Sequence, residues 1–399
     1  MQTTWKSTSR TSTTSEIQDK SRRIVAFIRH VFGKPEGVIP LHEPVFPGNE
    51  KKYLEECIDS TFVSSVGKFV DQFENKIAEY TGAKEAVVCV NGTSALHLAL
   101  LLCGVKPNDE VITQPLTFIA TANAICYCDA HPVFLDVDKE TMGLSPDAFQ
   151  AFLEKETIQK KDVCYNKQTN RRIKACVPTH TFGHPCRIEE IVAIGKEYNV
   201  DVVEDAAESI GSSYNNKHTG TFGKIGVLSF NGNKTITSGG GGALLFSDEA
   251  SGQLARHMTT QAKVPHPWEF VHDYIGYNYR MPNINAALGL AQLESLSQFI
   301  QAKRGLALQY KVFFDSTGFD FFTEPENSKS NCWLNAIILP DRKIRDEFLQ
   351  TTNKANVRTR PVWRLLNQLE MYTNCQADAL TNAKWLEERV VSIPSSVRI

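Results

Sequence analysis

The sequence predicts an α/β protein: a mostly parallel sheet covered by helices on both faces, followed by a smaller α+β domain. Three observations lead there. Short apolar runs rich in β-branched residues alternate with helix-patterned segments between residues 85 and 246, the pattern of successive β-α-β units. Several of these runs, AVVCV and ACVP among them, are apolar throughout, as in strands buried on both faces. Residues able to carry chemistry, namely Thr93, Phe118, His180, Asp205 and Lys234, all fall just past strand ends, where open α/β sheets gather their functional groups.

The elements follow in order. Residues 24–34 have helical periodicity, 40–48 are Pro-rich and extended, and 50–59 form a short helix. A loop, FVSSVGKFV, precedes a helix over 71–81 that starts at Asp71 as N-cap and puts Phe73, Ile77 and Tyr80 on one face. Strand 86–90 runs through the turn Asn91-Gly92-Thr93-Ser94 into a helix from about Ser94 to Cys103. Strand 110–115 leads to a helix with Phe118 near its start, and strand 131–138 to a helix near 145–155 and a polar insert. Strand 174–180, helix 187–198 and strand 199–209 complete the alternation. After the strands GVLSF and GALLF come a helix over about 249–259, an aromatic loop, and one long helix from about Asn283 to Arg304. Short strands and helices then alternate over 306–399 as the second domain.

Composition narrows the function classes. With 399 residues, 42% hydrophobic and 22% charged, the chain has the make-up of an ordinary globular protein of one large domain and a satellite. Its 43 basic and 45 acidic residues leave a net charge of −2, so no strong field favours nucleic acid or a membrane surface. No apolar run approaches the length of a membrane span. Residues 1–23, biased to Ser, Thr and Arg without an apolar core, read as a disordered leader rather than a secretory signal. The ten cysteines include no C-x-x-C pair, so neither a metal site nor a redox motif is indicated, and a free-thiol protein of the reducing cytoplasm fits.

The stretch from Gly226 to Phe246, GVLSFNGNKTITSGGGGALLF, organises the rest. Lys234 lies between two core strands, where burial can bring an amine towards the reactivity of a Schiff-base lysine; the competing reading is a solvated hairpin tip. Gly239 to Gly242 call for unusual dihedrals or a close approach of another group. Strand, Asn-Gly-Thr-Ser, helix is a physical anion site, with free N–H groups and the positive helix end above the strand; a plain N-cap is the alternative. A helix-end phosphate site, a ring-stacking aromatic, a carboxylate and a lysine on one sheet edge are what pyridoxal phosphate requires.

The segments NGTSALHLAL, PLTFIATANAI, VEDAAESIGS, SFNGNKTITSGGGG and GYNYRMPNINAALGLAQLE, in that order, with RTRPVW at 358–363, resemble the DegT/DnrJ/EryC1/StrS family of sugar aminotransferases dependent on pyridoxal 5′-phosphate. With FVSSVGKFV, they are similar to the branch that aminates UDP-linked 4-keto-6-deoxy sugars towards bacillosamine or legionaminic acid, for bacterial surface glycans. The resemblance implies the fold of the aspartate aminotransferase type, with a seven-stranded sheet in a large domain over 24–282 and a small domain over 283–399. It makes Lys234 the Schiff-base lysine and catalytic base, Asp205 the partner of the pyridine nitrogen and Phe118 the stacking ring. Gly92, Thr93, Ser94 and Ser229 would bind phosphate, and Asn278 would reach the phosphate of a neighbouring subunit, implying a homodimer with shared sites. His180 and Arg280 would line the sugar-nucleotide pocket, and L-glutamate would be the amino donor. Two departures stand out: Glu208 occupies a position near the cofactor hydroxyl where many members have Gln or His, and Gly239 to Gly242 replace a Gly-Glu-Gly-Gly run. Two other readings come with the family. In its sugar dehydratases a histidine replaces the lysine, whereas Lys234 is retained here; its non-catalytic sensors carry decayed sites, whereas Asp205, Ser229, Lys234 and Asn278 are all present.

Overall fold

A computed structural model describes residues 14–398. Its central sheet has seven strands: β1 (Glu85–Cys89), β2 (Glu110–Thr113), β3 (His131–Phe134), β4 (Ile173–Val177), β5 (Asp201–Asp205), β6 (Ile225–Ser229) and β7 (Gly242–Phe246). Their spatial order is β1-β7-β6-β5-β4-β2-β3. β6, β5, β4, β2 and β3 pair in parallel. β7 runs antiparallel to both neighbours, β1 and β6. The Lys234 loop therefore joins two adjacent central strands.

The continuous apolar runs are explained by burial on both faces. Successive side chains of a strand point to opposite faces. Ala86 and Val88 of β1 join Phe73 and Ile77 of one helix layer, whereas Val87 and Cys89 join Leu96 and Leu98 of the other. The first layer holds α2 (Glu50–Asp59), α3 (Lys68–Thr81) and, later in the chain, α9 (Asn283–Glu294). The second holds α4 (Gly92–Leu102), α5 (Ala120–Tyr127) and α8 (Glu249–Thr259). α6 (Pro146–Glu156) and α7 (Ile188–Glu197) cover the far end of the sheet through Phe149, Phe152 and Ile191.

Several expectations are corrected. The leader expected over 1–23 is helical from Thr14, as α1 (Thr14–Phe32); residues 1–13 lie outside the described residues. Ile17, Ile24 and Ile28 of α1 pack into the small domain, against Leu306, Tyr310 and Phe348, so the small domain takes chain from both ends. α3 begins at Lys68, not Asp71, because its cap comes from far away in sequence: Asn283 Oδ1 accepts the N–H groups of Phe69 (3.0 Å) and Val70 (3.3 Å). The single long helix expected after Asn283 is two, α9 and α10 (Leu296–Phe314), which meet at Ser295. The polar insert is a hairpin, Thr157–Lys160 against Val163–Asn166, whose turn residues Lys161 and Asp162 both have positive φ, the turn that suits strand twist.

The small domain is an antiparallel sheet of Asp320–Phe321, Asn335–Ile338, Val390–Ile393 and Arg360–Pro361, backed by α10 and α11 (Arg342–Lys354). Among the described residues, no helix is long and apolar enough to cross a membrane.

Candidate active site

Strands β1, β5 and β6 all deliver residues to one cavity of about 340 Å³ at their carboxyl ends. Gly92, Thr93, Phe118, Asp205, Glu208, Ser229 and Lys234 line it together. These come from four separate sequence segments, brought together by the parallel order of the sheet.

The floor forms where β1 turns into α4. Asn91 caps the helix, its Oδ1 accepting the Ser94 N–H at 2.8 Å. The Ser94 N–H is thereby committed to the cap, and Ser94 does not line the cavity, while the first residues of the helix, Gly92 and Thr93, do. A β-carbon on Gly92 would stand 3.0 Å from the Cβ of Ser229, so glycine keeps a cradle open between α4 and the end of β6. The glycine run serves the same wall: a β-carbon on Gly242 would lie 2.7 Å from the Asn91 backbone. Both features expected of that run occur, since Gly239 also has φ +81°.

Lys234 is not a solvated hairpin tip. Its side chain is 13% exposed, and its Nζ stands 3.3 Å from Glu208 Oε1. The other Glu208 oxygen accepts the Phe182 N–H at 2.8 Å, an amide aimed there by a left-handed backbone at Phe182 (φ +57°). Burial raises the Glu208 carboxyl above its ordinary range, against the opposing pull of Lys234 and the Phe182 amide. The carboxylate that departs from the family pattern is thus paired, with the lysine itself.

Asp205 ends β5 with its side chain over the cavity. Its Oδ2 accepts the Thr121 hydroxyl at 2.6 Å and its Oδ1 the Ala207 N–H at 3.2 Å. Thr179 pairs with Asp205 across the strands and faces the same cavity. The next residue, His180, points the other way, as alternation along an extended chain requires. The expectation that His180 lines the pocket is therefore corrected: it is fully buried, 3.0 Å from Glu204 Oε2, with Cys186 on its other nitrogen. Burial works against its protonation, yet Cys186 and Glu204 raise it to about 10. Glu204 also accepts the N–H groups of Gly220, Phe222 and Gly223, and despite burial it is held below its ordinary range by His180 and these amides.

Arg280 is likewise outside the cavity lining. Its buried guanidinium is bonded to both oxygens of Glu74, and Glu74 also accepts the Val88 N–H, so this arginine fastens α3 to β1. Asn278 is exposed and away from its own chain's cavity.

Among the wall residues that sequence reading missed, four stand out. Thr121 and Thr179 flank Asp205, and Trp333 and Trp363 close the side towards the small domain. A threonine in a helix and tryptophans in a distant domain carry no local signal of a site.

The chain is similar to known proteins over most of its length. It is 40% identical over 335 residues to a GDP-perosamine synthase of Escherichia coli O157:H7, covering 84% of this chain and 87% of that protein. It is 37% identical to the putative pyridoxal phosphate-dependent aminotransferase EpsN of Bacillus subtilis, covering 84% of each. Its fold matches the aminotransferase TlmJ of Streptoalloteichus hindustanus with a TM-score of 0.81 at 27% identity, over 90% of this chain and 94% of that one. Residues 46–399 match the DegT/DnrJ/EryC1/StrS aminotransferase family, so the chain belongs to that family, whose aminotransferases depend on pyridoxal 5′-phosphate.

Proposed function

We propose that this enzyme moves an amino group from L-glutamate to C4 of a nucleotide-linked 4-keto-6-deoxy sugar. The observation that carries this reading is the convergence of Lys234, Asp205, Ser229 and the Gly92 cradle on one cavity. The wall chemistry fits the cofactor. Bound there, pyridoxal 5′-phosphate supplies an aldehyde for a lysine amine and a ring that draws off an electron pair when its nitrogen is protonated.

Each residue then has a task. The N–H groups at Gly92 and Thr93 and the Ser229 hydroxyl offer donors to a phosphate at the positive end of α4. Asp205, steadied by Thr121, offers a carboxylate to the ring nitrogen. Phe118, 55% exposed, is free to stack on the ring. Lys234 Nζ would accept and return the proton at the donor or sugar carbon in both halves of the reaction. Trp333 and Trp363 keep water from the lysine side.

The relative named a GDP-perosamine synthase favours a GDP-linked sugar. The UDP-linked reading rests on the motif FVSSVGKFV and its companions. The exposed Asn278 suits a homodimer in which it reaches the neighbouring subunit's phosphate. The free state of all ten cysteines suits a reducing cytoplasm.

The test is an absorbance spectrum of the purified protein before and after L-glutamate. A visible band that moves to the near ultraviolet supports the first half-reaction, and GDP-, UDP- and dTDP-linked 4-keto-6-deoxy sugars, offered in turn, then identify the acceptor. A bound cofactor whose spectrum L-glutamate leaves unchanged would remove the donor assignment. Survival of the visible band in Lys234→Ala would remove the lysine assignment.

A further inference from the structure

We infer that Trp333 is a positioning residue for Lys234: its indole face holds the Lys234 amine at the cavity wall whenever that amine is not covalently engaged. This rests on the reading of Lys234 as the cofactor-binding lysine. The Lys234 Nζ lies 4.0 Å from the centroid of the Trp333 ring, within the range of an attractive cation–π contact. The amine thus stands beside an acceptor, Glu208, and a π face, Trp333.

Trp333 is unusually well anchored for a residue of the small domain. Its Nε1–H donates to Asn233 O at 2.7 Å, which fixes the backbone of the residue before Lys234. Its own N–H donates to Asn331 Oδ1 at 2.9 Å. The Asn331 amide nitrogen in turn donates to Glu208 O, Ile210 O and Thr235 Oγ1, which bracket the site from both sides. The Trp333 carbonyl accepts from Lys303 Nζ at 3.1 Å, a fully buried amine that also donates to Ser395 O at 2.6 Å. Burial pushes the Lys303 amine down to about 7, and it donates to two carbonyl oxygens, so its place in the fold is that of an anchor. The ring is 4% exposed and packs near Phe182, whose amide holds Glu208. The small domain therefore reaches the amine through Trp333, a side chain held at its N–H, its carbonyl and its indole nitrogen.

A flexible four-carbon stem samples many rotamers, and a desolvated π face that selects one of them is worth roughly a three- to thirtyfold population shift. The experiment uses the cofactor-free full chain. Pyridoxal 5′-phosphate is added at neutral pH, bound cofactor is trapped with borohydride, and the labelled peptide is identified by mass. Trp333→Leu is expected to trap on Lys234 roughly five- to thirtyfold more slowly, with unchanged circular dichroism. Trp333→Phe, which keeps a ring face, is expected to stay within about threefold of the parent. As a shape-conserving measurement, tryptophan carrying one, two or three ring fluorines is incorporated throughout the chain. Capture should slow with each fluorine in the parent and not in the Trp333→Phe background. Wild-type capture by Trp333→Leu, equal slowing in Trp333→Phe, or indifference to fluorination overturns the proposal. Trapping at a site other than Lys234, or persistence in Lys234→Arg, overturns the reading of Lys234 beneath it, which distinguishes the two failures.

Discussion

Glu208 Oε1 stands 3.3 Å from Lys234 Nζ while Glu208 Oε2 accepts the Phe182 N–H at 2.8 Å. One buried carboxylate therefore links Lys234 to the loop that follows β4. Burial raises this carboxyl, so the folded chain binds its proton more tightly than the unfolded chain does. That contribution favours the folded state at acid pH and is lost as the pH rises through the raised value. Glu208→Gln, which keeps an acceptor for Phe182, is expected to gain thermal stability relative to the parent as the pH goes from acid to neutral. Melting curves across that range decide it, and a flat difference would remove the claim that Glu208 is strained by burial.

The His180–Glu204 pair makes the opposite use of burial. His180 is held above the ordinary imidazole range, so its contribution is complete below that range and fades as the pH rises through about 10. Glu204 is held below the ordinary carboxylate range, so its contribution is complete above that range and fades as the pH falls through it. His180→Phe leaves a buried carboxylate without its cation and should cost about 3 kcal/mol in mildly acid solution. Chemical denaturation measured there and again in alkali should show the deficit shrinking at the higher pH.

Thr121 donates to Asp205 at 2.6 Å from the start of α5. Removing one hydrogen bond to a charged group costs about 1.5–3 kcal/mol. Thr121→Val keeps the side-chain shape, so its expected effect is a roughly 10- to 100-fold rise in the dissociation constant for pyridoxal 5′-phosphate. Equilibrium dialysis measures this directly; unchanged affinity would mean that Asp205 holds its place without Thr121.

The cradle at Gly92 is set by sterics. A methyl group there meets Ser229 at 3.0 Å, tighter than ordinary contact. Gly92→Ala is expected to melt within a few degrees of the parent and to lose at least about tenfold in affinity for the phosphorylated cofactor, with little change for unphosphorylated pyridoxal. Equal losses for both ligands would place the phosphate elsewhere.

Much of this protein could be read from its chain. The central strands and the helices between them lie close to where apolar runs and periodicity put them, because burial on two faces leaves a continuous apolar signal. The line Thr93, Phe118, Asp205, Lys234 was legible from one rule, that parallel sheets present chemistry at their carboxyl ends. His180 satisfied the same rule and was misplaced, since a strand end does not say which face its last residue takes; Thr179 took the cavity and His180 the core.

What the sequence alone determined was the alternation of central strands and helices and the family resemblance. The tertiary structure decided the rest, through contacts between residues far apart in the chain. Asn283 caps α3 across more than 200 residues, and Trp333 reaches Lys234 from the small domain. Arg280 spends its charge on Glu74 instead of the pocket, and α1 turns an expected leader into part of the small-domain core. Each of these depends on which surfaces meet once the sheet is built. Local propensity acts over a few residues, whereas capping, ion pairing and ring contact act between whichever groups the packed layers bring within a few ångströms.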